Sequence, residues 1–437
     1  MTDHKSLKHL VRERMTRTGE SYTTAHRHVR AHAPAESPSH EDGAVVGFPA
    51  FGAEVHHPSA RARHLLGAAG LDITEPMACG LGGGVGFMYA VFEYKQIDHP
   101  LLTIVAQHHP MPWLDAVAEN LGLELATQHS TSPAAARKKL DICIDDGTPA
   151  LLTVARGLLP QHPGVSAMEA AEPYQIVVAG RRGDDYLVDD LDSAPHVRTD
   201  AELSAAWAGH RKGRFELTTL VAASVDRFAD SFDESLASGI RRALRMTADH
   251  LTGPVLGNSF DVNFGLSGMR KLAAELRDRS TKNGWQRRFA TPAHASYACG
   301  RLSECLTSAN TAPGATRPTY ARFLAEAAEL LGAPRLADST VLFEKSGQGW
   351  TSLPWRQRHS HVVSRLSTCR RSSRRSPTRS KIAWPSRRKE WTGSATISTE
   401  PSRRAGPAGC SRPAFRSRRS ASRGVCRARC GRPGTTR

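Results

Sequence analysis

Residues 174–191, YQIVVAGRRGDDYLVDDL, decide the fold class. Two apolar, β-branched runs, YQIVVAG (174–180) and YLVDDL (186–191), flank the turn RRGDD (181–185), which is the pattern of an antiparallel hairpin. Working outward, ALLTVAR (150–156) and LLTIVAQ (101–107) have the length and β-branched centre of buried strands. Between them, PWLDAVAENLGL (112–123) and SPAAARKKLDICI (132–144) have helical periodicity. After the hairpin, DAELSAAWAGH (200–210) reads as a helix with Asp200 as N-cap, and GRFELTTLVA (213–222) as a strand. Helices and strands therefore mix, with strands adjacent at the end. This pattern predicts an α+β domain over residues 43–222 with an antiparallel sheet, not a doubly wound fold.

The pattern changes on both sides of that domain. From about residue 230 to 353 only helical periodicity remains, as in DESLASGIRRALRMTADHL (233–251) and RPTYARFLAEAAELLG (317–332), which predicts a bundle of five or six helices. Residues 1–32 read as a short basic helical segment, and 33–42, rich in Pro, Ser and Ala, as a linker. Residues 354–437 hold 23 Lys and Arg against two acids, so the +17 of the whole chain resides there and the body before it carries −4. Their Arg, Ser, Gly and Pro composition cannot bury enough apolar surface to offset chain entropy, so the segment reads as a disordered tail. A nucleic-acid-binding tail and a frameshift product of a high-GC coding sequence both account for it, and the abrupt switch with no Asp favours the frameshift. The mildly acidic body supplies no footprint for a specific nucleic acid. There is no N-terminal apolar segment and no run long enough to span a membrane, so a cytoplasmic location is expected.

No motif for a metal or a nucleotide survives inspection, and neither a metal nor a cofactor is expected. The loop GLGGGVGF (80–87) lacks the Lys-Ser/Thr ending of a phosphate loop, and its glycines do not fit G-x-G-x-x-G. Gly80, Gly82, Gly83 and Gly84 imply either a tight structural turn or a ligand-facing loop. His56 and His57 precede a helix N-terminus, where anions and thiolates are stabilised, and His108 and His109 end a predicted strand. Cys79 abuts the glycine loop behind Met77 and Ala78, as a buried structural thiol would. The carboxylates flanking the hairpin, Asp189 and Asp190 among them, read first as solvated turn residues.

Taken together, HHPSARARHLLGAAGLDITEPMACGLGGGVGFMYAVFEY (56–94) resembles the signature of the butirosin-biosynthesis protein H N-terminal family. That pattern starts a helix with His-Cys, continues through a short loop with Glu and closes on GLGGGxGFxY. The hairpin YQIVVAGRRGDDYLVDDL looks like the part of the pattern where a His-led strand precedes an Asp after a turn. Residues from about 230 to 353 resemble the helical domain of unknown function often attached behind it. The resemblance implies a papain-like, bacteriocin-processing-peptidase-like fold and transfer of an acyl group from a carrier protein to an amine. The partners it implies are an acyl-carrier protein and a small amine substrate; the oligomeric state stays open. This chain departs from the pattern at its reactive positions. If His56 takes the place of the motif's His, His57 stands where the nucleophilic Cys belongs and Tyr174 where the base His belongs. Only an Asp, Asp189 or Asp190, remains of a Cys-His-Asp set. Two readings follow. One is direct transfer without a thioester intermediate, with His57 or His108 as general base and glycine-loop amides stabilising the oxyanion. The other is a non-catalytic binding or scaffold protein on a degenerate peptidase-like fold.

Overall fold

The computed structural model describes residues 42–95, 97–165, 173–309 and 311–352. The N-terminal segment, almost all of the linker, and the tail lie outside them. The first domain opens with helices α1 (His57–Ala68) and α2 (Glu75–Leu81), then strands β1 (Val85–Phe92) and β2 (Leu101–Gln107). Helix α3 (Trp113–Leu121), strand β3 (Leu125–Gln128), helix α4 (Pro133–Asp145) and strand β4 (Ala150–Ala155) follow. The hairpin is β5 (Pro173–Arg182) and β6 (Asp185–Asp189), trailed by β7 (His196–Arg198), α5 (Asp200–Gly209) and β8 (Leu217–Leu220).

The strands form two sheets, and every pairing is antiparallel. β1 and β2 make a two-stranded ribbon of their own, while the other six run in the order β3-β8-β4-β5-β6-β7. The α+β class with an antiparallel sheet is therefore what the molecule has. β4 is buried along its whole length, as its unbroken apolar run requires. Two details differ from the sequence reading. β3 escapes it because LATQ is only four residues long and too exposed to show alternation. The cap of α5 is Thr199, not Asp200. Thr199 Oγ1 accepts from the Glu202 amide while the Glu202 carboxylate accepts from the Thr199 amide, a reciprocal box that Asp200, one residue into the helix, cannot make.

Helices α6 (Ala222–Asp230), α7 (Phe232–Thr252), α8 (Gly265–Arg277), α9 (Trp285–Arg288), α10 (Pro292–Thr307), α11 (Arg317–Leu331) and α12 (Arg335–Thr351) complete the described chain. They do not form a bundle standing apart. Phe87, Tyr89, Leu102 and Ile104 of the ribbon share one core with Leu272 of α8 and Leu302 and Leu306 of α10. Tyr320, Phe323 and Leu324 of α11 and Ile240 of α7 join the core that α1, α2 and the large sheet build. The ribbon is thus sandwiched by later helices, and the glycine loop between α2 and β1 sits where the two halves meet.

Candidate functional site

The site is organised by Glu75, the first residue of α2. Its buried carboxylate accepts the amides of Glu54 (2.8 Å), Val55 (2.9 Å) and His56 (2.6 Å), fixing the chain as it enters α1. His56 occupies the N-cap position without capping. Its ring turns inward instead, with Nδ1 2.5 Å from Ser59 Oγ and Nε2 2.7 Å from Gln107 Oε1, and Trp113 stands edge-on to it. Burial lowers its pKa to about 4, so the ring is neutral near pH 7. The Gln107–His56–Ser59 series has the connectivity of an oriented base and nucleophile. His56 and Ser59 are, however, both fully buried.

His57 looks the other way. Its Nε2 lies 3.1 Å from Asp190 Oδ1, and its Nδ1 accepts from Arg61 Nη1 (2.7 Å) with the Tyr174 hydroxyl 3.3 Å away. Burial first, then the adjacent Arg61 cation, lowers its pKa to about 3 against the pull of Asp190. Tyr174 is at the start of β5 and donates to Asp190 Oδ1 at 2.5 Å. Burial and the neighbouring Asp190 push its phenol up, so it stays protonated. Asp190 follows the last residue of β6 and also takes His162 Nε2 (2.7 Å) and Gln161 Nε2 (3.0 Å) on Oδ2. Burial alone would raise this carboxyl, but the donors His162, His57 and Tyr174 outweigh it and hold Asp190 well below the carboxylate range.

Asp189, one residue earlier, points to the opposite face, as successive strand residues do. It binds the Gly52 amide (2.7 Å) and His64 Nδ1 (2.7 Å), and burial raises its pKa. The hairpin thus assigns the two carboxylates separate tasks. Asp190 belongs with His57 and Tyr174, and Asp189 anchors α1. Both are buried and fully engaged, so neither is the solvated turn residue that the sequence suggested.

The glycine loop is closed by packed side chains. An added Cβ at Gly80 would lie 2.1 Å from Phe323, at Gly82 2.3 Å from Trp113, at Gly83 2.5 Å from His108 and at Gly84 2.2 Å from Tyr320. Gly83 and Gly84 also adopt φ of +90° and +56°. The amides of Gly82, Gly83 and Gly84 donate to the carbonyls of Ala78, Gly80 and Cys79, which leaves none of these three for an oxyanion. Cys79 is fully buried beneath the loop, and burial raises its pKa to about 12 despite a hydrogen bond with Ser59. His108 and His109 follow β2 and lie against His250 of α7. His108 packs on Gly83 and beside His250, and the His109 carbonyl takes His250 Nε2 (2.5 Å).

The structure therefore brings His57, Tyr174 and Asp190 together and keeps Cys79, the glycines, His108, His109 and Asp189 out of that group. Sequence reasoning missed His162, Arg61 and the anchoring role of Glu75. His162 lies before the segment 166–172, far from any recognisable pattern, and only the hairpin's folding brings Asp190 to it. Among the described residues, no group of three or more His, Cys, Asp or Glu side chains could hold a metal ion. No helix among them is long and apolar enough to cross a membrane.

A helix N-terminus facing a hydroxyl on one strand and a carboxylate at the end of the next defines an α+β domain with a helix-borne polar site. Residues 56–191 match the family model described as butirosin biosynthesis protein H, N-terminal, and residues 211–361 match a domain of unknown function, DUF4872. The chain thus carries a domain of the butirosin biosynthesis protein H N-terminal family, and the second match runs on into the segment read as tail. A search of curated proteins found no match to the chain.

Proposed function

We propose that the chain serves specialised metabolism as a binding protein, on a domain that keeps the orientation network of an acyl-transferring thiol protein without its reactive atoms. The proposed partners are an acyl-bearing carrier protein and a small amine. The observation that carries this reading is the state of His57, at the position where the family resemblance puts the nucleophile. It is neutral, and both ring nitrogens are engaged, by Asp190 on one side and by Arg61 and Tyr174 on the other. The packed glycine loop and the buried Cys79 thiol support the same reading, since thioester chemistry needs an accessible thiolate beside a base.

The test is incubation of the full chain with an acyl pantetheine thioester and a panel of amines, followed by intact-mass analysis and product detection. The expected result is no covalent acyl adduct and no turnover, with saturable binding of donor or amine by calorimetry. An acyl group trapped on Cys79 would overturn the proposal. A second reading has one observation in its favour, the 2.7 Å contact between His162 and Asp190, which is the arrangement of a base with its orienting carboxylate. In that reading His162, not His57 or His108, deprotonates an amine for direct transfer. Turnover abolished by His162→Ala and untouched by Cys79→Ser would establish it.

A further inference from the structure

A strand at the edge of a sheet leaves half of its backbone donors and acceptors unpaired, a row that a second chain can join. β3 ends the six-stranded sheet, with β8 as its only strand neighbour. The register fixes which of its groups face outward. Leu125 lies opposite Leu220 and Gln128 opposite Leu217, and one step earlier the Val221 amide donates to the Glu124 carbonyl (2.9 Å). Hydrogen-bonded and non-hydrogen-bonded pairs alternate along an antiparallel ladder, so Ala126 and Gln128 also turn their amides and carbonyls towards β8. Leu125 and Thr127 turn theirs away, and no described residue hydrogen-bonds to those backbone groups. The close approach of the Thr127 and Thr218 hydroxyls (3.0 Å) is that of a non-hydrogen-bonded pair. Thr127, Gln128 and His129 are exposed.

This open edge ends among cations. Lys139 Nζ donates to the His129 carbonyl (2.8 Å), one alternation beyond Thr127 and therefore on the same outward side. His129 Nδ1 donates to the Gly213 carbonyl (2.9 Å) and the Ser130 amide to the Arg214 carbonyl (2.8 Å). These bonds bring the exposed Arg211, Lys212 and Arg214 to the same corner. None of the four makes an ion pair with a described carboxylate, although Arg137 of Lys139's own helix has two, with Asp141 and Asp200. The nearest acids are taken: Glu124 pairs with Arg227, and Glu216 accepts the Thr153 hydroxyl (2.6 Å). A body of net charge −4 thus concentrates unpaired positive charge beside its exposed strand edge.

From this placement we infer that β3 is a docking edge for an acidic, extended segment of another protein. The segment adds as a strand to Leu125 and Thr127, with its carboxylates against Lys139, Arg211, Lys212 and Arg214. Backbone pairing supplies attachment, and the cations select the partner. A second copy of this chain would bring no free carboxylate to the corner, because Glu124 at the other end of β3 is already paired with Arg227. Residues 354–437 carry the same sign of charge as the corner and do not suit it. The inference goes beyond the binding reading and does not depend on it, since none of its residues touches His57.

The experiment follows amide hydrogen exchange across residues 123–130 of the full chain in the presence of a synthetic peptide of alternating valine and glutamate. One control peptide carries lysine in place of glutamate, and the other is N-methylated at each of its central residues. At about 1 mM and low salt the acidic peptide should slow exchange of the Leu125 and Thr127 amides roughly tenfold or more, and neither control should. Peptide held by the basic residues 354–437 does not slow these two amides, so the readout reports the edge. Salt at about 0.5 M should remove most of the effect, as screening of exposed charges requires. The double variant Arg211→Glu with Lys212→Glu should lose the slowing. If that variant does not fold, the three peptides on the unaltered chain still decide. No slowing by the acidic peptide would overturn the inference. Equal slowing by the N-methylated peptide would overturn it in favour of a patch that takes any acidic surface, and equal slowing by the lysine peptide would remove the role of charge. None of these outcomes bears on acyl turnover.

Discussion

His56 and His57 are neighbours in sequence and opposites in environment. His56 looks into a seam closed by Ser59, Gln107 and Trp113, above a glycine loop roofed by helices α7 and α11. His57 looks into a polar group made by the β5–β6 hairpin and the residues around His162. On the first side, close packing determines every residue; on the second, hydrogen-bond direction does. On the proposed reading, this contrast is how a domain loses its reactive atoms and keeps its shape. The seam tolerates almost no change of volume, whereas the polar side accepts new side chains provided that Asp190 still has donors.

The largest effect should come from the seam. Gly80 lies within helix α2, where alanine would ordinarily be favoured by about 1 kcal/mol. Its added Cβ would nevertheless lie 2.1 Å from the Phe323 ring. Gly80→Ala should therefore destabilise by about 3 kcal/mol or leave the chain insoluble, since overpacking in a closed core outweighs propensity. Gly122→Ala is the control. It caps the C-terminus of α3 with φ +68°, and nothing lies near the added Cβ, so only a backbone cost of about 1–2 kcal/mol is expected in urea denaturation. Equal losses at the two positions would mean that packing does not distinguish the seam.

How far the sequence could anticipate this division depends on the kind of signal. The antiparallel sheet was legible because two apolar, β-branched runs, YQIVVAG and YLVDDL, flank an obvious turn, and the helices because their apolar positions recur every three to four residues. The five closely spaced glycines were legible as a constraint, but not which constraint. The residues that close on Gly80, Gly82, Gly83 and Gly84 are Trp113 of α3, His108 just after β2, and Tyr320 and Phe323 of the distant helix α11. For the same reason Asp189 and Asp190 could not be told apart, since the direction of a side chain at the end of a strand depends on register. Nor could the later helices be seen to sandwich the β1–β2 ribbon, because periodicity reports an apolar face and not what covers it.

Next in size is Glu75, which serves both sides by holding the entry to α1. Glu75→Gln keeps the shape but replaces a carboxylate accepting three amides with one amide oxygen and a competing donor. A loss of about 2–3 kcal/mol is expected in urea denaturation, the scale for hydrogen bonds to a buried charged acceptor. A loss below about 0.5 kcal/mol would show that the loop is fixed by other contacts.

The polar side should accept a rebuilt pair. In the double variant His57→Cys with Tyr174→His, a thiol at the helix N-terminus would face an imidazole, with Asp190 already in place behind it. That thiol should be alkylated by iodoacetamide at pH 6 about tenfold faster than the half-buried Cys143, because a helix N-terminus and an imidazole lower a thiol's pKa. Asp190→Asn added to the double variant should remove much of the gain. A thiol no faster than Cys143 would mean that the group around Asp190 does not support a reactive thiol.

The smallest effect is the most diagnostic of how the seam is filled. His108 is buried against Gly83, and neither of its ring nitrogens has a hydrogen-bond partner among the described residues. Burial, with the nearby His250 and His109, lowers its pKa to about 4 from an ordinary 6.5. The folded state then holds His108 neutral while the unfolded chain protonates it between about pH 6.5 and 4. Unfolding therefore takes up a proton in that window, and stability falls as the pH drops through it. His108→Leu removes two polar atoms that have no partner and fills a similar space with an apolar group. At pH 7 its stability should equal or exceed that of the parent by up to about 1 kcal/mol, because deleting an unsatisfied buried group relieves its desolvation cost. Between pH 6.5 and 4 its acid decline should be shallower than the parent's, with that of His56 and His57 retained. Urea denaturation at pH 7 and pH 5 measures both. A loss of more than about 2 kcal/mol at pH 7 would mean that the imidazole is hydrogen-bonded in solution, through a water held under the glycine loop. The seam would then be wet, and its contrast with the polar side of α1 would be one of degree.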